Sequence, residues 1–193
     1  MQKIKGIGFI LGLSLILCAC NNKNEIVNVT KQGTEYIYEN ASFFYPNKFN
    51  VEDDNENSDV KVPSQTKNTS IKISHKEEII ELEVSDVVEE NVESELIQLY
   101  KVDLETMGYT VISNTKVNLD NGDSCYEVVI EDSDVKAKHM VIYENNLRYV
   151  LKYEAPSNEF DKKILKMDKY LYTFVVKEHG DEDHLHWYLK ISN

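Results

Sequence analysis

The sequence predicts an α+β domain, an antiparallel β-sheet flanked by helices, and two observations carry that prediction. Several short stretches alternate apolar and polar residues with the two-residue period of strands. Two longer stretches repeat their apolar residues every three to four positions, the period of helices that pack on a sheet. Turn signals containing Asn, Gly or Pro separate the elements.

The first residues stand outside this pattern. Met1 to Lys5 is short and basic, and Gly6 to Leu17 is an almost unbroken apolar run. That run is shorter than the roughly 20 residues a spanning helix needs. It fits the apolar region of an export signal, with charge before it and small residues after it. Leu17-Cys18-Ala19-Cys20 then resembles the lipobox of bacterial lipoproteins, with Leu at −3 and Ala at −1. Cys18 fits less well, because bulky Leu17 would sit at its own −1 position. The resemblance implies removal of residues 1–19 as a signal peptide and attachment of diacylglycerol to Cys20. The protein would then sit at the outer face of the cytoplasmic membrane, held there by its lipid. The alternative is an ordinary secretory signal cut nearby, which leaves a free protein.

Asn21 to Thr34 is polar and aperiodic, so residues 20–34 are expected to form a lipidated flexible tether. Residues 35–193 are expected to form a single domain with a C-terminal hairpin extension. Strands begin with Tyr36-Ile37-Tyr38 and with Ser42 to Phe49, where aromatic strand formers flank a Pro46-Asn47 turn. Val51 to Asn68 is acidic and polar, a loop. Ile71 and Ile73 alternate with Ser70, Lys72 and Ser74, and Ile80, Leu82 and Val84 alternate with Glu81 and Glu83, predicting a sheet with one wet face.

Val88, Val92, Leu96, Tyr100 and Leu104, widened by Leu99 and Met107, then form a helical apolar stripe that Gly108 ends. Its early glutamates are favourable against the helix dipole. Strands over about 109–119, 124–131 and 137–144 follow, with Asp120-Asn121-Gly122-Asp123 as the first turn. Asn145-Asn146 turns into Leu147, Tyr149, Leu151 and Tyr153 on one face, opposite Arg148, Lys152 and Glu154. Pro156-Ser157-Asn158 opens a second helix to about Tyr170, with Phe160, Ile164, Leu165 and Met167 as its apolar residues. A last hairpin would run from Tyr172 to Val176, turn at His179-Gly180-Asp181, and return over Leu185 to Ile191.

Charge limits the partners. The chain carries 34 acidic against 21 basic residues, a formal −13, and removal of Lys3 and Lys5 with the leader leaves 19 basic residues and −15. Such a surface is repelled by nucleic acid and by anionic headgroups, so membrane contact is expected through the lipid and not through a basic patch. Arg148 is the only arginine, which rules out a clamp of several arginines on phosphate or carboxylate. The Lys- and Asn-rich usage is associated with AT-rich, low-GC Gram-positive genomes.

Three segments in order make the layout similar to the PsbP-like family. They are Phe43-Phe44-Tyr45-Pro46 with Phe49-Asn50-Val51, then Gly108-Tyr109-Thr110-Val111 with Asn121-Gly122, and Tyr149 to Pro156 with Phe160 and a helix ending near Phe174. Together they span about 40–176. The resemblance implies a PsbP-like α/β/α sandwich and a binding or assembly role in place of catalysis. It transfers no site residues, and the segment from His179 onward departs from that family's short ending.

Candidate chemistry is sparse. His179, Asp181, Asp183, His184 and His186 could hold Zn²⁺, since His184 and His186 share a face on a strand. The competing reading puts these histidines on the wet side of a hairpin whose inner residues are Leu185, Trp187, Leu189 and Ile191. Asp53, Asn55, Asn57 and Asp59 alternate like calcium ligands, but Ser58 and Ser64 occupy the places of the required Gly and Glu. Cys125 is the cysteine left over after the leader and Cys20, so it is expected as a buried thiol or an intermolecular partner. His75 and His139 are the histidines that could meet it by tertiary folding. No cofactor is expected beyond the diacylglycerol. The expected function is a lipid-anchored, non-enzymatic protein-interaction module that binds an envelope or secreted protein of basic character through its sheet face or terminal hairpin. The alternative is a lipoprotein that binds a metal or small ligand through the C-terminal His/Asp cluster.

Overall fold

Residues 29–38, 40–52, 69–87 and 92–177 are described by the computed structural model. Their strands are β1 (Gly33–Tyr38), β2 (Ala41–Pro46), β3 (Asn50–Glu52), β4 (Thr69–His75), β5 (Glu78–Asp86), β6 (Thr110–Asn118), β7 (Ser124–Glu131), β8 (Val135–Glu144), β9 (Leu147–Pro156) and β10 (Val175–Val176). Two helices, α1 (Glu93–Thr106) and α2 (Ser157–Leu171), complete the set. Seven strands form one antiparallel sheet in the order β3-β4-β5-β9-β8-β7-β6, and β1-β2-β10 form a second. No helix among the described residues is long and apolar enough to cross a membrane.

The turns are where the sequence puts them, for stereochemical reasons. Asn145 and Asn146 both take positive φ, 52° and 61°, the two left-handed residues that a tight hairpin between β8 and β9 needs. The β8–β9 ladder then runs from Glu144↔Leu147 to Val135↔Pro156. Gly108, at φ 98°, ends α1: its N–H donates to the Glu105 carbonyl and that of Tyr109 to the Leu104 carbonyl, the double closure of a Schellman motif.

Each face of the large sheet buries its own core. On one side, α2 and the small sheet cover Ile80, Leu82, Met140, Tyr149, Leu151 and Tyr153, with Phe43, Phe160 and Phe174 packed among them. On the other side, α1 lays Ile97, Tyr100 and Leu104 over Val128, Val141 and Val150. The arrangement is the α+β sandwich expected from the sequence, with one qualification. A wet face remains on β3–β5 and the neighbouring part of β9, where Lys152 bridges Glu81 at 3.4 Å and Glu83 at 2.5 Å, and the edge strand β6 is exposed at several positions.

Three expectations shift. The fold begins before residue 35: residues 29–32 form a helical turn, Val29 is buried, and β1 starts at Gly33, so the expected tether 20–34 gives its last residues to the domain. Gly33 is fixed there by contact, since a Cβ at this position would lie 2.9 Å from the Tyr45 carbonyl and from the Tyr170 ring. The α1 stripe is also rotated. Ile97, Tyr100 and Leu104 face the core, whereas Val92, Leu99 and Met107 are exposed. The helix carries apolar residues on two faces, and the spacing alone does not say which one the sheet takes. Leu165, expected in the α2 core, is 77% exposed, and Tyr170 and Leu171 fill that role instead.

Candidate functional site

The C-terminal cluster His179, Asp181, Asp183, His184 and His186 lies outside the described residues, as do Cys20, the calcium-like Asp53 to Asp59 and the expected return strand 185–191. Among the described residues no group of three or more His, Cys, Asp or Glu side chains is placed to hold a metal ion.

The described histidines do not join Cys125. Cys125 is fully buried on the α2 side of the sheet, and burial pushes its thiol up to about 12, which keeps it protonated and a poor nucleophile. His75 packs on the Phe49 ring at 5.6 Å. His139 belongs to the α1 side, where its Nδ1 shares a 2.7 Å hydrogen bond with the Tyr100 hydroxyl. Arg148 covers the same Tyr100 ring at 4.9 Å. Burial, with the Lys152 charge added, pulls His139 down to about 3, so it is neutral at any physiological pH. Its Nε2 is buried without a partner among the described residues.

A second polar cluster lies beneath α2. Lys138 contacts Glu127 at 3.0 Å and Asp168 at 2.8 Å, and the Tyr172 hydroxyl donates to Glu127 at 2.9 Å. Burial raises Asp168, while the Lys138 hydrogen bond and charge oppose that rise. These groups are paired with one another, an arrangement that holds α2 on the sheet.

Among the described residues two surfaces stand out, on opposite sides of the sheet. The first is the outer face of α1. Val92, Leu96 and Leu99 follow one another at i, i+4 and i+7, with Val102 three residues on, and Val92, Leu99 and Val102 are exposed. Ile112, the extra residue at the β6 bulge, is exposed as well. Glu93, Glu95, Asp103 and Glu105 share the helix with this stripe against one lysine, Lys101.

The second surface is a cleft of about 740 Å³ along α2 and the turn after β2. Five lysines line it: Lys48, Lys162, Lys163, Lys166 and Lys169. Glu78 forms its floor, accepting hydrogen bonds from Tyr153 at 2.9 Å and from Lys48 at 3.2 Å, with Lys163 at 3.7 Å. Burial works against the Glu78 carboxylate, but the Tyr153 and Lys48 bonds and the Lys163 charge outweigh it and hold its pKa below the usual value. Glu159, the other carboxylate of the cleft, pairs with Lys163. The lysines thus form a local basic patch on an acidic chain, which net charge alone does not reveal. The signal was present in the sequence as Lys162, Lys163, Lys166 and Lys169, whose spacing keeps them close on one helix, and the formal −13 concealed it.

With this geometry defined, the chain can be set beside known structures. CyanoP, the cyanobacterial PsbP of Synechocystis, superposes with a TM-score of 0.55 at 13% identity, over 76% of this chain and 93% of CyanoP. The fold is PsbP-like. The Ran-binding protein Mog1p of Saccharomyces cerevisiae gives 0.49 at 13% identity, over 75% of this chain and 95% of its own. A protein of unknown function from Pseudomonas aeruginosa, described as a putative regulator, gives 0.44 at 10% identity, over 77% and 99%. No protein-family model matches the chain, and no curated protein matches it in sequence. The PsbP-like likeness is thus one of fold, and it brings no site residues with it.

Proposed function

We propose that this chain is a lipoprotein of the outer face of the cytoplasmic membrane, with Cys20 bearing a diacylglycerol and the PsbP-like domain serving as a non-enzymatic protein-interaction module. The leader and its Leu17-Cys18-Ala19-Cys20 sequence support the anchor. The separation of Cys125 from His139 by the thickness of the sheet supports the absence of thiol catalysis.

The observation that carries the interaction reading is the outer face of α1. An exposed apolar helical stripe costs solvation free energy in a monomer and gains it back when a partner covers it. The carboxylates on the same helix select a partner whose apolar anchor residues are surrounded by basic ones. This refines the expected docking route. The sheet face offered to partners is covered by α1 where it is apolar, so the helix presents the surface in its place.

The test is photocrosslinking in intact cells, with a photoreactive side chain at position 99 of the full-length protein. The expected result is one reproducible protein adduct whose yield falls at least fivefold in the Val102→Asp variant, a substitution at an exposed site that leaves the fold unchanged. No adduct above an anchor-only control, or an adduct indifferent to Val102→Asp, contradicts the reading.

A further inference from the structure

The lysine cleft lies where the chain enters the fold. The Lys169 amine donates to the Gln32 side chain at 3.5 Å, the Asn47 amide donates to the Gln32 carbonyl at 3.4 Å, and Gly33 abuts the Tyr170 ring. Cys20 precedes buried Val29 by nine residues. A chain of that length reaches at most about 30 Å when fully extended and averages roughly 15–18 Å when flexible. A lipid on Cys20 therefore keeps this side of the domain within about 30 Å of the bilayer, and among the described residues it is the side where lysines gather.

The composition of the cleft suits a membrane surface. Lys48 and Lys163 are engaged with Glu78 and Glu159, but among the described residues Lys162 and Lys166 have no carboxylate partner. Between them stands Leu165, the most exposed large apolar side chain of the described residues. Basic residues around an apolar tip are what an interfacial helix presents to anionic headgroups and the acyl boundary beneath them. The acidic remainder of the molecule is repelled by the same lipids, which leaves one favourable orientation.

We infer that the outer face of α2, with Lys162, Lys166 and Lys169 around Leu165, docks on anionic phospholipid and orients the domain with α1 turned away from the membrane. This rests on the lipid anchor proposed above. An acidic protein segment is the competing occupant, and it is separated from lipid by what the site captures.

The experiment places a photoreactive side chain at position 165 or at position 99 of the full-length protein in a Gram-positive host, followed by irradiation and mass analysis of adducts. Position 165 is expected to capture phosphatidylglycerol, and position 99 is not. Each lysine near an anionic surface contributes on the order of fivefold in binding, so Lys162→Glu with Lys166→Glu should lower lipid capture at least tenfold. Both lysines are exposed, so the variant folds. Fractionation of the same cells reports the anchor separately. Protein in the membrane fraction with no lipid captured at 165 overturns the docking face while the anchor stands. Capture of an acidic protein at 165 also overturns it. If the protein is soluble, the anchor reading fails, and the inference then stands only if the isolated protein sediments with phosphatidylglycerol vesicles but not with phosphatidylcholine vesicles.

Discussion

Replacing Lys138 by alanine is expected to cost the domain about 3–5 kcal/mol, the loss typical when one partner of a buried ion pair is removed. The Lys138 side chain is 9% exposed and that of Glu127 is 17% exposed, so Glu127 recovers little hydration once the ammonium is gone, whereas Asp168, 34% exposed, recovers part of its own. Asp168 is already raised by burial and would lose the one cation that opposes the rise. The Tyr172 hydroxyl would still donate to Glu127, but a single neutral donor does not balance a buried charge. The loss is a large share of the 5–15 kcal/mol that holds a typical domain. Urea denaturation of the variant measures it. Lys138→Met combined with Glu127→Gln and Asp168→Asn should recover most of the loss, because replacing every charge of a buried cluster is far cheaper than removing one. A cost below about 1 kcal/mol for Lys138→Ala would class the cluster with ordinary surface pairs.

Acidification from pH 7 to pH 5 should remove about 2 kcal/mol of stability through His139 alone. His139 titrates near 6.5 when unfolded and is held down to about 3 in the fold, first by burial and then by Lys152. Its pKa is depressed on folding, so between those values the unfolded chain binds a proton that the folded chain refuses. Stability from this group is complete above about 6.5 and declines as pH falls toward 3, by up to about 1.4 kcal/mol per pH unit. The groups that face His139 are Tyr100 from α1 and Lys152 from β9, with Arg148 lying over the Tyr100 ring. A His139→Phe variant separates this contribution from that of the carboxylates. Its unfolding free energy should fall less than the wild-type value over the same interval, by about 2 kcal/mol. Parallel pH profiles for the two proteins would mean that His139 is protonated inside the fold.

The strand pattern was legible because most strands bury one face and turn with residues that have few other uses. Asn145-Asn146 and the alternation of Leu147, Tyr149, Leu151 and Tyr153 set the β8–β9 hairpin within two residues of its observed ends. The helices were legible as helices but not in their rotation. Both carry an apolar residue on the solvent side, Leu99 on α1 and Leu165 on α2, and a one-dimensional period cannot tell a docking face from a core face. The two open surfaces were missed for that reason. The start of the fold was missed because Val29 and Gly33 are fixed by contacts with distant residues, Tyr45 and Tyr170, and not by local pattern. The lysine cleft was missed because net charge averages over a molecule whose charges are segregated. Lys48 arrives from β2's turn and meets α2 only in three dimensions.

These features describe one polarised object. The basic α2 side adjoins Gln32 and Gly33 near the start of the described chain, the acidic apolar-striped α1 side lies across the sheet from it, and buried polar clusters hold each helix in place. The account depends first on Cys20. The measurement that tests it most directly is fractionation of cells that express the full-length protein or its Cys20→Ala variant, with membranes washed at high salt to release any contact made by the lysines alone. The account predicts wild-type protein in the washed membranes and the variant in the soluble fraction or the medium. Retention of Cys20→Ala in the washed membranes, equal to wild type, would contradict it.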